Sequence, residues 1–326
     1  MAVAPSLAYR ARKFGRRYRA GLIITSAFAL VLVVATVVRV RQNIRARREA
    51  AVAQAVNNFL QNDLLAQASA ENQSRANTRP DPNITVRTLL DRAAQRIDGK
   101  FPNQPEVEAA LRNTIGATYD DLGMYPEARE QLEQALELDR RTMGADDPRV
   151  LTTLDRLGWV ALHQGRYAEA EALESHAVEA RKRVLGLENP ETLTSMDHLA
   201  IDYSYRGEYA KAAELYNQVL AIQKRVLGPE SPDTLASMGN LAADYSYEGK
   251  YAKAETIDAL VLGIRRRVLG PESPETLISM YNLAGDYMEE GKYAQTEELY
   301  SKVLAIQKRV LGPEHPQDVE DRGGLG

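Results

Sequence analysis

The chain has 326 residues, no cysteine and a formal net charge of -4. The missing cysteines exclude disulfide staples, thiolate metal sites and cysteine nucleophiles. The charge is lopsided: residues 1–50 hold 11 Lys and Arg against one acid, Glu49, leaving 30 basic and 44 acidic residues beyond them, an acidic body that argues against nucleic acid as the main ligand.

From Ala20 to Val38 the sequence runs 19 residues without a charge. As a helix this is roughly 28 Å long, close to the hydrocarbon thickness of a bilayer. Basic residues flank it on both sides (Arg16, Arg17 and Arg19 before, Arg39, Arg41 and Arg45 after), as suits lipid head groups. A cleaved signal peptide would have a shorter apolar core and a small-residue cleavage site. The expectation is a basic tail over 1–20 and a single uncleaved membrane helix over 21–38. The short basic tail is the easier end to retain in the cytoplasm, with the body on the other side.

Residues 40–69 lack Gly and Pro and are rich in Ala, Arg, Gln and Leu, so the helix is expected to continue past the membrane. A polar stretch with two prolines, AENQSRANTRPDPN, follows at 70–83 and reads as the end of a juxtamembrane and linker segment over 39–83. Val86, Leu89, Leu90, Ala93 and Ile97 then resume helical spacing and predict a helix within 84–105 that covers the first repeat.

Two glycine series follow at intervals of 42: Gly123, Gly165, Gly207, Gly249 and Gly291, and Gly144, Gly186, Gly228, Gly270 and Gly312. The block AIQKRVLGPE occurs twice, at 221–230 and 305–314. Fourteen of the 16 tyrosines lie between Tyr119 and Tyr300, which the repeat explains. Each unit predicts two helices. In the third, Glu191 to Arg206 carries Leu193, Met196, Leu199, Ala200 and Tyr203 at helical spacing, with Gly207 as the stop. The second helix, Glu208 to Leu227, ends at Gly228, and Pro229 cannot prolong it. Ser231-Pro232-Asp233 then restarts the chain with a cap, a proline at the first helical position and an acid at the positive end of the dipole. The repeats are placed at 106–148, 149–190, 191–232, 233–274 and 275–316.

These residues resemble the tetratricopeptide repeat, and more narrowly the 42-residue version in kinesin light chains. Leu157-Gly158, Leu199-Ala200, Leu241-Ala242 and Leu283-Ala284 match its first-helix pair, and Tyr119, Tyr203, Tyr245 and Tyr287 its aromatic one turn later. Gly-X-Tyr followed by Ala, as at Gly207, Tyr209 and Ala212, matches the turn and the start of the second helix. Ala161 departs from the first-helix aromatic and Thr296 from the small Ala, which puts local tightness in question. The whole chain also resembles the span-plus-repeat half of bacterial receptor-type serine/threonine kinases. In that family a kinase domain precedes the span. Here 20 residues do, so the resemblance implies a bacterial signalling context without a catalytic domain.

No enzyme motif is found. Asp121-Leu122-Gly123 is the end of a first helix, the Gly-Lys pairs lack phosphate-loop spacing, and the four histidines show no ligand spacing. The expectation is no enzyme, no cofactor and no metal. A repeat array of this kind offers a concave groove lined by its first helices. The candidate groove residues are Asn113 in the first repeat, Asp155 and Trp159 in the second, and Asp197, His198 and Tyr205 in the third. Asn240 and Tyr247 follow in the fourth and Tyr281 and Asn282 in the fifth. Asn240 and Asn282 match an Asn that kinesin light chains carry one residue before the first-helix Leu, and an amide bonds a peptide backbone in both directions.

The fold class expected is all-α: a single transmembrane helix followed by a tetratricopeptide α-solenoid of five helix-pair repeats. The function expected is a scaffold in the bacterial inner membrane, N-terminus cytoplasmic, binding a protein or peptide. Its rivals are the interaction module of a receptor kinase lacking its kinase, and an assembly factor of a membrane complex. After Gly312 the pattern fails in QDVEDRGGLG, a tail over 317–326, so self-association through an uncapped last repeat is also expected.

Overall fold

The computed structural model describes residues 19–61 and 84–311, the side chains of 19–27, 29 and 311 excepted. Among the described residues there are twelve α-helices and no strand. The expectations for the basic tail, the 70–83 linker and the segment beyond Gly312 fall outside them. The chain divides into two units, Met1–Ala110 and Leu111–Gly326.

The first unit contains α1 (Arg19–Phe59), α2 (Val86–Ile97) and the start of α3 (Pro105–Asp121). Helix α1 runs 41 residues without a break. Phe28 and Leu30 through Val34 on it are each more than half exposed. The Thr36 hydroxyl is satisfied within the helix, donating to the Leu32 carbonyl at 2.7 Å. The span expected over 21–38 includes side chains outside those described, and among the described residues no helix is long and apolar enough to cross a membrane. At the far end of α1, Phe59 is buried and meets Phe101 edge-on at 6.2 Å. Thr85 caps α2 by accepting from the Thr88 amide, and Leu89, Leu90, Ala93 and Ile97 are its buried side.

The second unit takes up α3 and stacks nine more helices: α4 (Tyr125–Met143), α5 (Pro148–His163), α6 (Tyr167–Val184), α7 (Pro190–Tyr205), α8 (Tyr209–Val226), α9 (Pro232–Tyr247), α10 (Tyr251–Val268), α11 (Pro274–Glu289) and α12 (Tyr293–Leu311). The loops share one rule, with Ser231 as a correction to the expected capping: its side chain makes no cap bond. Pro occupies the first turn of α5, α7, α9 and α11, and Asp147, Asn189 and Ser273 accept from the backbone amides of Arg149, Glu191 and Thr276. Within each pair the first helix ends at a glycine with positive φ; at Gly207 (φ 74°) the next amide, Glu208 N, returns to the Tyr203 carbonyl at 2.9 Å. Between pairs, Thr192, Thr234 and Thr276 donate to the carbonyls of Gly186, Gly228 and Gly270 at 2.8–2.9 Å, which ties each loop to the helix it starts.

Each helix pair buries its apolar stripe against the next. One core cluster draws Ala200, Ala212, Tyr216 and Leu220 from the third pair together with Leu235, Met238 and Leu241 from the fourth, and Val261 closes it from α10. The closest approach within a pair comes at one position per repeat, occupied by Gly116, Gly158, Ala200, Ala242 and Ala284. A Cβ at Gly116 would stand 2.8 Å from Leu132 Cγ, and one at Gly158 only 2.6 Å from Glu174 Cγ. The two departures from the repeat pattern are well filled. Ala161 is fully buried with Leu162 and Ala170 under Trp159. Thr296 is buried, and its hydroxyl reaches the Ala284 and Lys292 carbonyls, both at 3.3 Å. In α12 the repeat equivalents of Tyr216 and Leu220, which are 1% and 5% exposed, are Tyr300 and Leu304, both half-buried.

Glycine at the close-approach position therefore has opposite consequences from glycine elsewhere in the same helices. Gly158→Ala should lower stability by about 1–3 kcal/mol through overpacking on Glu174. Gly239→Ala, where an added Cβ meets nothing within 4 Å, should raise it by about 1 kcal/mol through helix propensity. Thermal unfolding followed by circular dichroism reads both, as a fall and a rise in Tm.

Candidate peptide-binding groove

First helices of successive pairs touch one another: α5 meets α7, α7 meets α9 and α9 meets α11. The stack closes up on that face, so the groove runs along the first helices. Beneath its surface lies a polar ladder that links each repeat to the next. Asn113 donates to Asp139 at 3.4 Å and accepts from Thr153 at 3.0 Å. One repeat on, Asp155 holds Arg181 and accepts from Ser195 at 3.1 Å. Another repeat on, Asp197 accepts from Gln223 at 3.0 Å and from Ser237 at 2.8 Å. Each rung joins a first helix, its own second helix and the following first helix. The fourth rung has Gly239 in place of the acid, and Arg265 bonds Ser279 directly at 2.9 Å.

These contacts correct the sequence reading of three residues. Asn113, Asp155 and Asp197 were expected as groove surface, yet all three are engaged between repeats and Asp155 is only 8% exposed. Burial raises the Asp155 carboxyl, the Arg181 guanidinium opposing it, and burial pushes Asp197 up to about 6. Asn240 is half-buried beside the hydroxyl of Tyr216. Asn282 is exposed and lines a cavity of about 430 Å³ with Ser246, Tyr247 and Met288.

The aromatic candidates are solvent-facing. Tyr205, Tyr247 and Tyr281 are 59%, 71% and 54% exposed. Tyr247 stacks on Tyr209 with ring centroids 5.3 Å apart, and Tyr281 leans on Tyr300 at 5.1 Å. Around Trp159 the rings form a row: Tyr125 stacks on His163 at 4.9 Å, His163 sits 4.7 Å from Trp159, and Trp159 sits 5.8 Å from His198. His163 and Tyr125 were not among the candidates; His163 lies one turn beyond Trp159 on the same helix, a spacing that could have flagged it, whereas Tyr125 comes from the helix before. Burial lowers the pKa of His198, so the ring is neutral near pH 7. Beside this row lies a cavity of about 520 Å³, bounded by Asp120, Arg156, Trp159, Arg181 and His198.

A second polar layer runs deeper. Asp244 accepts from Ser204 at 3.0 Å, and Asp286 from Ser246, each serine belonging to the repeat before. The equivalent of those serines for Asp202 is Leu162, and neither oxygen of Asp202 has a hydrogen-bond partner. Opposite it, Glu174 is fully buried and its two oxygens are likewise unpartnered. Burial, reinforced by the charges of Asp202 and Asp155, raises Glu174 to about 9, and burial raises Asp202 to about 6. The outer surface carries a plainer ladder, Arg183–Asp146, Arg225–Glu188, Arg267–Glu230 and Arg309–Glu272 at 2.5–2.8 Å, whose members are well exposed and individually worth little.

The tetratricopeptide repeat family model matches residues 106–183, 160–225, 206–259 and 233–287, and a second tetratricopeptide repeat model matches 276–317. The chain belongs to the tetratricopeptide repeat family. Among solved structures it is similar to a kinesin light chain of nearly identical TPR-like repeats from Podosopora anserina, 31% identical with a TM-score of 0.55 over 64% of this chain and 98% of that one. BtubC (BKLC) from P. vanneervenii shares the fold at 18% identity and TM-score 0.59, over 70% of this chain and 91% of that one. Rap protein complexed with Competence and Sporulation Factor shares it at 14% identity and TM-score 0.54, over 80% and 76%. No curated protein matches the chain. The tetratricopeptide array is a scaffold of the kind used for protein interaction.

The buried acid of the second repeat makes this array sensitive to pH. Because folding raises the Glu174 carboxyl from its ordinary value near 4.5 to about 9, the folded state binds the extra proton. Its contribution is therefore whole below about pH 4.5 and is lost as pH rises toward 9, at roughly 1 kcal/mol per pH unit. Glu174→Gln should match the wild-type Tm at pH 5, exceed it at pH 8 and flatten the profile between. Thermal melts at the two pH values measure it.

Proposed function

We propose that the chain is a membrane-anchored scaffold whose groove holds an extended peptide or a partner helix. The observation that carries the groove is its row of exposed and half-exposed rings. Tyr205, Tyr247 and Tyr281 present large apolar area to water along one face, interleaved with hydrogen-bonding groups such as Asn282. Aromatic rings of this kind are costly to leave uncovered and are enriched where proteins bind one another. The ladder beneath them fixes neighbouring first helices to one another, so the rings are held in register before a ligand arrives.

The anchor rests on the sequence of 20–38 together with the continuous course of α1. Its residues Phe28 to Val38 are apolar around the helix, and the one hydroxyl described among them, that of Thr36, is bonded to its own backbone. A helix apolar all round suits lipid, in which each backbone group must be satisfied internally.

Two experiments test the parts separately. A phage-displayed random peptide library panned against the chain should yield ligands that Tyr247→Ala with Asn282→Ala weakens at least about tenfold. Lys211→Ala, on a second helix, should leave them unchanged. Equal binding by the groove double variant would move the site off this face. For the anchor, the full chain should stay with membranes through high salt and carbonate, while deletion of residues 1–41 should release it. Release of the intact chain by salt alone would replace insertion with electrostatic association.

A further inference from the structure

The cavity beside Trp159 has a chemistry distinct from the rest of the groove. Three successive repeats contribute to it: Asp120 from the end of α3, Arg156 and Trp159 from α5, Arg181 from α6 and His198 from α7. Two of the charges near it are already paired. Arg181 gives its two terminal nitrogens to Asp155, Ser195 and, at 3.1 Å, Thr152, while its Nε makes no hydrogen bond and lies 3.8 Å from Glu191. Asp155 is saturated by the same guanidinium and by Ser195.

Asp120 is different. It lines the cavity half-buried, and its Oδ1 has no hydrogen-bond partner. A partly buried carboxylate without a donor is held at a cost that an arriving cation removes. Glu191, on the opposite rim, is a second exposed acid, 3.8 Å from the Arg181 Nε. Arg156 is an exposed cation whose charge already acts on Asp120, so a guanidinium entering the cavity competes with it for that carboxylate. The ring of Trp159 forms one wall, backed by His163 and His198, and an indole face attracts a guanidinium more strongly than any other side-chain ring.

We propose that this cavity receives the arginine side chain of a bound peptide, its guanidinium stacked on Trp159 and paired with Asp120. The proposal rests on the groove reading above and names the ligand residue for one position in it. Arginine fits better than lysine because the flat guanidinium satisfies a ring face and a carboxylate edge together.

Trp159 is the one tryptophan of the chain, so its fluorescence reports this cavity alone. The full chain is titrated with three acetylated, amidated tripeptides: Gly-Arg-Gly, its neutral citrulline counterpart and Gly-Glu-Gly. The arginine peptide should change the emission saturably and bind about tenfold more tightly than the citrulline peptide. Asp120→Asn should erase that advantage, and Arg156→Gln should enlarge it. Opposite charge effects from the two variants guard against a misfolded protein being read as a lost contact. Preference for the glutamate peptide, abolished by Arg156→Gln, would overturn the proposal in favour of an anionic ligand. An unchanged Trp159 signal, in a protein whose groove variants still impair library peptides, would overturn it and leave the groove reading standing.

Discussion

A helix pair of this kind has more apolar surface than it can cover by itself, and the depth to which its two helices close is set by one side chain per repeat. At Gly116 and Gly158 even a methyl group would collide with the second helix, and at Ala200, Ala242 and Ala284 a methyl is what fits. That spacing determines how much of the stripe remains for the next pair. Tyr216 and Leu220 are buried only because α9 arrives to cover them. The stability of the array is thus a chain of nearest-neighbour dependencies, and an alteration at one junction is felt first by its two flanking repeats.

Polar groups at the junctions divide by how well they are satisfied. The upper ladder, from Asn113 to Ser237, pairs every acid with a donor on a different helix. Such networks align the first helices as well as hold them, because a donor displaced by a helix slip leaves a buried acceptor behind. The lower layer is uneven. Asp244 and Asp286 find a serine, whereas Asp202 finds Leu162 and faces Glu174. Asp258 and Asp286 meet at the last such position, where burial raises both, Asp258 to about 8. Two junctions therefore hold acids that favour a proton at neutral pH, and the better-satisfied junction lies between them.

The unevenness matters for recognition. Asp155 and Arg181 form the wall of the Trp159 cavity, and Glu174 and Asp202 sit behind that wall. In the fourth and fifth repeats the ladder's acid is absent at Gly239 and replaced by the exposed Tyr281.

The 42-residue period, the helix pairs and their stops were legible in the amino-acid sequence, as were the caps at Asp147, Asn189 and Ser273; Ser231, expected as a cap by the same rule, makes no side-chain cap bond. Proline, glycine and cap residues act on the backbone within a few positions, so their consequences do not wait for packing. The division of the first helices into core and non-core faces was legible for the same reason, since helical periodicity is local. The roles of the polar non-core residues were not. Asn113, Asp155 and Asp197 satisfy the pattern of a solvent-facing stripe, and only the next repeat's Thr153, Ser195 and Ser237, 40 residues on, turn them inward. Glu174 looks like one more surface acid of a charged helix; Gly158 opposite it leaves the space that draws it in. Whether a side chain on a repeat's surface meets water or a neighbour depends on the angle at which two repeats stack. That angle belongs to the junction between them and is written in neither repeat alone.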